Sequence, residues 1–233
     1  MSKTENLINS NRANFKMWDR QLSAHLLLQY EPAAIEAEDD RERIFYQTNE
    51  MLAEIANTFI SHGKFKDQFD TSKCSTFPFG QYLLLRSEKM DIPIHWGVEY
   101  NDFYLESYLY QAENIRFMTD DFWQSLLTLK GLGEFNLIGG GGLNSAQRPY
   151  FENKTSTIFQ IIRTFMINQA ERMRAGDYGT QWEYPSLVIK WPMDNDWESL
   201  LINAGMAFKL LYSLNYQLWK ISDLADKKQK RRL

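Results

Sequence analysis

Between Met206 and Trp219 the chain carries apolar side chains on nearly every side of a helix, and no other stretch restricts its fold so strongly. A helix with one apolar stripe settles on a core with its polar face in water. One that is apolar all round must be enclosed by its own chain or covered by a partner. The segment extends a pattern beginning near Asp194 and Asn195, with Trp197, Leu200, Leu201, Ala204, Phe208, Leu211, Tyr212, Leu218 and Trp219 at helical spacing.

The N-terminal part repeats that period. Phe15, Trp18, Leu22, His25, Leu26 and Gln29 recur at intervals of three and four, predicting a helix from about Thr4 that ends at Glu31-Pro32. A second helix follows, with Ile44, Met51, Leu52, Ile55 and Phe59 inward and a stop at His62-Gly63. Thr119 and the acidic pair Asp120-Asp121 predict the cap of a short helix through Phe122, Trp123, Leu126 and Leu127. Thr157 and Gln160 form a capping box for a helix with Ile158, Ile161, Ile162, Phe165 and Met166 inward.

Elsewhere the period is mixed. Residues 64–93 hold short apolar runs broken by Pro78, Gly80 and Pro93, and read as an irregular but apolar connector. From His95 to Met118, Tyr104, Tyr108, Gln111 and Ile115 fit a helix, while Asn101-Asp102 fits the tip of a hairpin. The length of the pattern favours helix. The best strand candidate is Tyr184 to Trp191, bounded by prolines, although an extended connector would read the same way. The expected fold class is therefore mostly α, an antiparallel helical bundle-like domain with at most a minor β element. Its parts would be an N-terminal helical hairpin over 1–63, the connector over 64–93, a main helical body over 94–226 and a basic tail over 227–233, together one compact domain.

Composition narrows the class. The chain has 233 residues, one cysteine, and 7 Trp among 15% aromatic residues, and it lacks a run apolar enough for a membrane span. A single Cys74 cannot form an internal disulfide, and the start lacks the pattern of a secretory signal, so a cytoplasmic location is expected. The formal net charge is −4. The tail contributes Lys227, Lys228, Lys230, Arg231 and Arg232, so the rest of the chain stands near −9 without those five positive charges. An acidic body repels phosphate backbones, making nucleic acid an unlikely partner, and attracts basic proteins.

Motifs with chemistry are sparse. Gly139 to Gly142 lacks the Lys-Ser or Lys-Thr of a phosphate-cradling loop and reads as a connector or turn. His62 and His95 are isolated, so no metal site is expected, and nothing calls for a cofactor. Arg20 and His25 have the Arg-x4-His spacing of HEPN-type ribonucleases and in those two residues resemble them. The resemblance implies metal-independent RNA cleavage, with Arg20 and His25 as catalytic residues. On a regular helix, however, the two positions point about 140° apart, and a core histidine beside a surface arginine is the favoured account of them.

The segment from Trp96 to Tyr108 interleaves aromatic residues with carboxylates, which suits capture of a basic protein better than stacking of nucleic acid. Tyr100, Asp102, Tyr104 and Glu106 are its candidate contact residues, against the plainer reading of a helix with its tyrosines in the core. Three functions are then in play. The first is a non-enzymatic acidic module that masks or scaffolds a protein partner, in the manner of a bacterial immunity protein or antitoxin. The others are the HEPN-like ribonuclease and a subunit of a larger assembly or homo-oligomer joined through the Met206 to Trp219 helix.

Overall fold

The computed structural model describes residues 3–35, 37–77, 79–138 and 186–230. It contains a seven-stranded sheet, and this overturns the expectation of a helical bundle with at most a minor β element. In chain order the elements are α1 (Lys3–Asn11), α2 (Phe15–Tyr30), α3 (Glu38–Gly63), β1 (Phe69–Asp70), β2 (Cys74–Phe77), β3 (Gly80–Ser87), β4 (Pro93–Glu99) and β5 (Asp102–Tyr108). Then come α4 (Asp120–Leu129), β6 (Glu134–Ile138), β7 (Ser186–Pro192) and a long helix, here α5 (Trp197–Lys230). The strand order is β1-β3-β4-β5-β7-β6, with β2 also pairing with β3. The pairs β1/β3, β2/β3 and β3/β4 are antiparallel.

The connector expected over 64–93 holds β1, β2 and β3, and the helix favoured from His95 onward is the β4 and β5 pair. The physical reason lies in burial. Strand β3 alternates regularly, with Gln81, Leu83, Leu85 and Ser87 buried and the residues between them half-buried, but Tyr82 to Leu85 are all apolar and so conceal that alternation. In β4 Trp96, Gly97 and Val98 are all buried, and in β5 so are Phe103, Tyr104 and Leu105. A strand covered on both faces loses its period-two signature. Gly97 marks a close approach of the two strands. It faces Tyr82 in the β3–β4 register, and a Cβ there would collide with the Gln81 carbonyl. The strand expected between Tyr184 and Trp191 is present as β7.

The helices follow their stripes more closely. The first expected helix is split in two around residues 12–14. The second starts after a short 3₁₀ turn, Pro32–Ala34, and its left-handed cap is Lys64 (φ 50°) rather than Gly63. The α5 helix is capped by Asp196, whose carboxylate accepts the Ser199 N–H at 2.9 Å. The Ser199 hydroxyl, with that N–H, holds the carboxyl below its usual range. Lys227 and Lys228 belong to this helix, and Lys227 pairs with Asp223 at 2.7 Å. The capping-box helix expected from Thr157, including Ile162, and the Gly139–Gly142 loop lie outside the described residues.

The chain forms two compact units. One comprises Met1–Leu105 and Lys190–Lys209, the other Glu106–Ile189 and Leu210–Leu233. The first is built on a connected set of aromatic rings. Trp18 meets Trp197 edge-on at 5.2 Å, Trp197 meets Phe103, and Phe103 stacks on Trp96 at 5.5 Å. Trp96 also touches Phe59, which leads to Phe208 and Phe65. Each indole N–H along this path has an acceptor: Trp18 donates to Glu54 at 2.8 Å, Trp96 to the Leu52 carbonyl at 3.1 Å and Trp197 to Asp19 at 2.6 Å. In the second unit Phe122, Leu126, Leu129, Leu187, Ile189, Leu211, Leu214 and Leu218 are buried. Asn215 donates to the Ser107 hydroxyl there, and Asn114 to the Leu218 carbonyl. Among the described residues no helix is long and apolar enough to cross a membrane.

Candidate functional site

The first unit contains a cleft of about 980 Å³ between α2, α3 and the β2–β3 ribbon, at the large end of ligand-pocket sizes. Its position follows from the α2 stripe. Trp18 and Leu22 at the start of that stripe are buried apolar residues, but one turn further on the inward positions turn polar, with His25 and then Gln29. Facing them, α3 contributes Phe45 and Tyr46, and the strands contribute Phe77 and Gln81. Gln81 is itself held in place, donating to the Phe45 carbonyl at 3.3 Å.

His25 is only 5% exposed, and neither ring nitrogen has a hydrogen-bond partner. Burial pushes its pKa down from 6.5 to about 4. Gln29, one turn along the helix, offsets this in part without bringing either nitrogen into hydrogen-bond geometry. The imidazole is therefore uncharged at neutral pH. Gln29 donates its amide N–H to the Phe79 carbonyl at 2.8 Å, which leaves its buried Oε1 without a donor. Gln21 Oε1 on α2 and Asn49 Oδ1 on α3 are buried and unpaired as well. Unmade hydrogen bonds of this kind are costly and uncommon, and four residues that carry them lie on the two helices that wall the cleft.

Charge is confined to the α3 wall. Glu38, Glu42 and Tyr46 are spaced by four residues and so share one helical face. Neither carboxylate forms an ion pair among the described residues. The Arg41 guanidinium is occupied, donating to the Ile35 carbonyl at 2.9 Å and the Pro32 carbonyl at 3.0 Å. Among the described residues no group of three or more His, Cys, Asp or Glu side chains is placed to hold a metal ion.

The residues singled out in the sequence are scattered. Arg20 is exposed and does not line the cleft, whereas His25 is buried in its wall, so the pair is not brought together. Tyr100 occupies the β4–β5 turn and is 45% exposed, its ring stacked on Phe79 at 4.9 Å and 16°. Asp102 is half-buried at the start of β5. Tyr104 is 6% exposed and belongs to the core. Glu106 is half-buried and falls in the other compact unit. Cys74 is a free, exposed thiol.

Sequence reasoning passed over Gln29, Phe45, Phe77, Phe79 and Gln81. A usable signal was present in Gln21, His25 and Gln29, three polar residues four apart on a helix whose neighbouring stripe is apolar. The partners on the ribbon were invisible because residues 64–93 did not read as strands. The chain matches no protein-family model, no curated protein and no solved structure.

Proposed function

We propose that the chain is a non-enzymatic module that docks one basic protein and masks or scaffolds it, as an immunity protein or antitoxin does. The Phe79–Tyr100 pair carries this reading. The two rings stack while both residues remain nearly half exposed, at 49% and 45%. Tyr100 holds a left-handed backbone (φ 53°), which costs a non-glycine residue about 1 kcal/mol or more. Its N–H donates to the Phe79 carbonyl at 2.9 Å, and the same carbonyl accepts from Gln29. Three bonded segments thus support a rigid, exposed aromatic plate, the kind of anchor that dominates binding energy at interfaces. The charge of the chain selects the partner's sign: −4 overall, with Glu31, Glu38 and Glu42 exposed in the same unit.

The test is co-purification from the native host on the tagged full chain, beside a Phe79→Ser/Tyr100→Ser variant whose folding is checked by denaturant unfolding. The reading expects a basic protein held by the wild type and lost from the variant. Identical protein sets on both, or no basic protein on either, contradict it.

A further inference from the structure

We infer that the α2–α3–ribbon cleft is an arginine-binding site, receiving a guanidinium side chain presented by the basic protein partner. This rests on the reading above and adds what the partner must present. Hydrogen-bond chemistry carries it. The floor carries unmade hydrogen bonds: Gln29 Oε1 is an acceptor without a donor, and an uncharged His25 ring has one acceptor nitrogen and one N–H donor nitrogen, neither with a partner. Two acceptors against one donor favour a ligand that brings N–H groups over a carboxylate or phosphate, which brings acceptors alone.

The α3 wall agrees in sign. Glu38 and Glu42 stand one turn apart on the face lining the cleft, unpaired among the described residues. The one cation in that wall, Arg41, is tied to two backbone carbonyls. Phe45 and Tyr46 meet edge-on at 5.4 Å beside them, and Tyr46 is 61% exposed, so an aromatic surface is available to a cation. A planar guanidinium with five donors matches acceptors, carboxylates and rings together, whereas an ammonium presents only three donors and no plane. The exposure of Tyr46 and the hydrogen bond that ties the lining residue Gln29 to the Phe79 carbonyl suit a side chain held on a partner's surface, with the Phe79–Tyr100 plate taking the flanking contact.

The experiment titrates the full chain with a capped Ser-Gly-Arg-Gly-Ser peptide, its Leu-for-Arg counterpart and free arginine amide. Binding is read from the His25 ring resonances by NMR. The arginine peptide should shift them and the leucine peptide should not. A Glu38→Gln/Glu42→Gln variant, altered only at exposed positions, should bind about tenfold more weakly. Unmoved His25 resonances, equal response to both peptides, or unchanged affinity in the variant overturns the site. Free arginine amide binding as tightly as the peptide overturns the protein source in favour of a small molecule. If a basic protein co-purifies through Phe79 and Tyr100 but ignores Glu38→Gln/Glu42→Gln, the docking reading survives and the arginine site falls. If the peptide binds but no basic protein is retained, the docking reading falls instead.

Discussion

Trp96 and His25 are both nitrogen-bearing rings buried in the same compact unit, and their surroundings differ in kind. Trp96 stacks on Phe103, meets Phe59 and Trp191 edge-on, and donates its N–H to the Leu52 carbonyl. His25 is almost as deeply covered yet makes no hydrogen bond, and Gln21 and Gln29 on the same helix, with Asn49 on α3, also hold unpaired oxygens. A buried polar ring with its partner in place contributes packing at little polar cost. One without a partner detracts from stability while the cleft is empty. The tryptophan region is thus where the fold is held, and the α2–α3 seam is where stability has been given up.

Truncating Trp96 to Ala should break the first half of this comparison most severely, costing about 3 to 5 kcal/mol in denaturant unfolding. A cost under about 1 kcal/mol would mean that the aromatic path is not the core.

The second half is sharpened by pH. The folded pKa of His25 lies near 4, below the 6.5 of the unfolded chain, so the unfolded state binds the proton first. Stability should therefore fall as pH drops from about 6.5 towards 4 and level off below, with about 2 kcal/mol lost by about pH 5. Comparing wild type with His25→Leu across that range isolates this histidine from the carboxylates. Parallel stability curves would show that its imidazole is not desolvated.

A smaller effect is expected at the docking plate. Tyr100→Gly relieves a left-handed tyrosine and should leave stability unchanged or raised by under about 1 kcal/mol, while weakening retention of the partner. A large loss of stability would make Tyr100 part of the fold rather than of the contact surface.

How far these regions could be read from the sequence follows from their burial. The stripe Trp18, Leu22, His25 on α2 and the stripe Ile44 to Phe59 on α3 were legible because each helix buries one face. Strands β3, β4 and β5 were not, since Leu84 is apolar on the less buried face and Trp96-Gly97-Val98 and Phe103-Tyr104-Leu105 are covered on both. Tyr104 and Tyr108 also happen to lie four residues apart, which imitated a helix. Of the site, His25 stood out for its neighbour Arg20, which the structure leaves on the surface. Its actual companions, Gln29 and Gln81, sit 52 positions apart in the sequence and meet the cleft only through the fold of the ribbon.

The most direct test of the central claim, that the His25 seam is a site and not core, is the unfolding free energy of His25→Leu at about pH 7.5. Leucine nearly matches the volume of histidine and removes both orphaned nitrogens, so the account predicts a variant within about 1 kcal/mol of wild type or more stable. A loss of about 2 kcal/mol or more would contradict it, placing His25 with Trp96 among the residues that hold the fold.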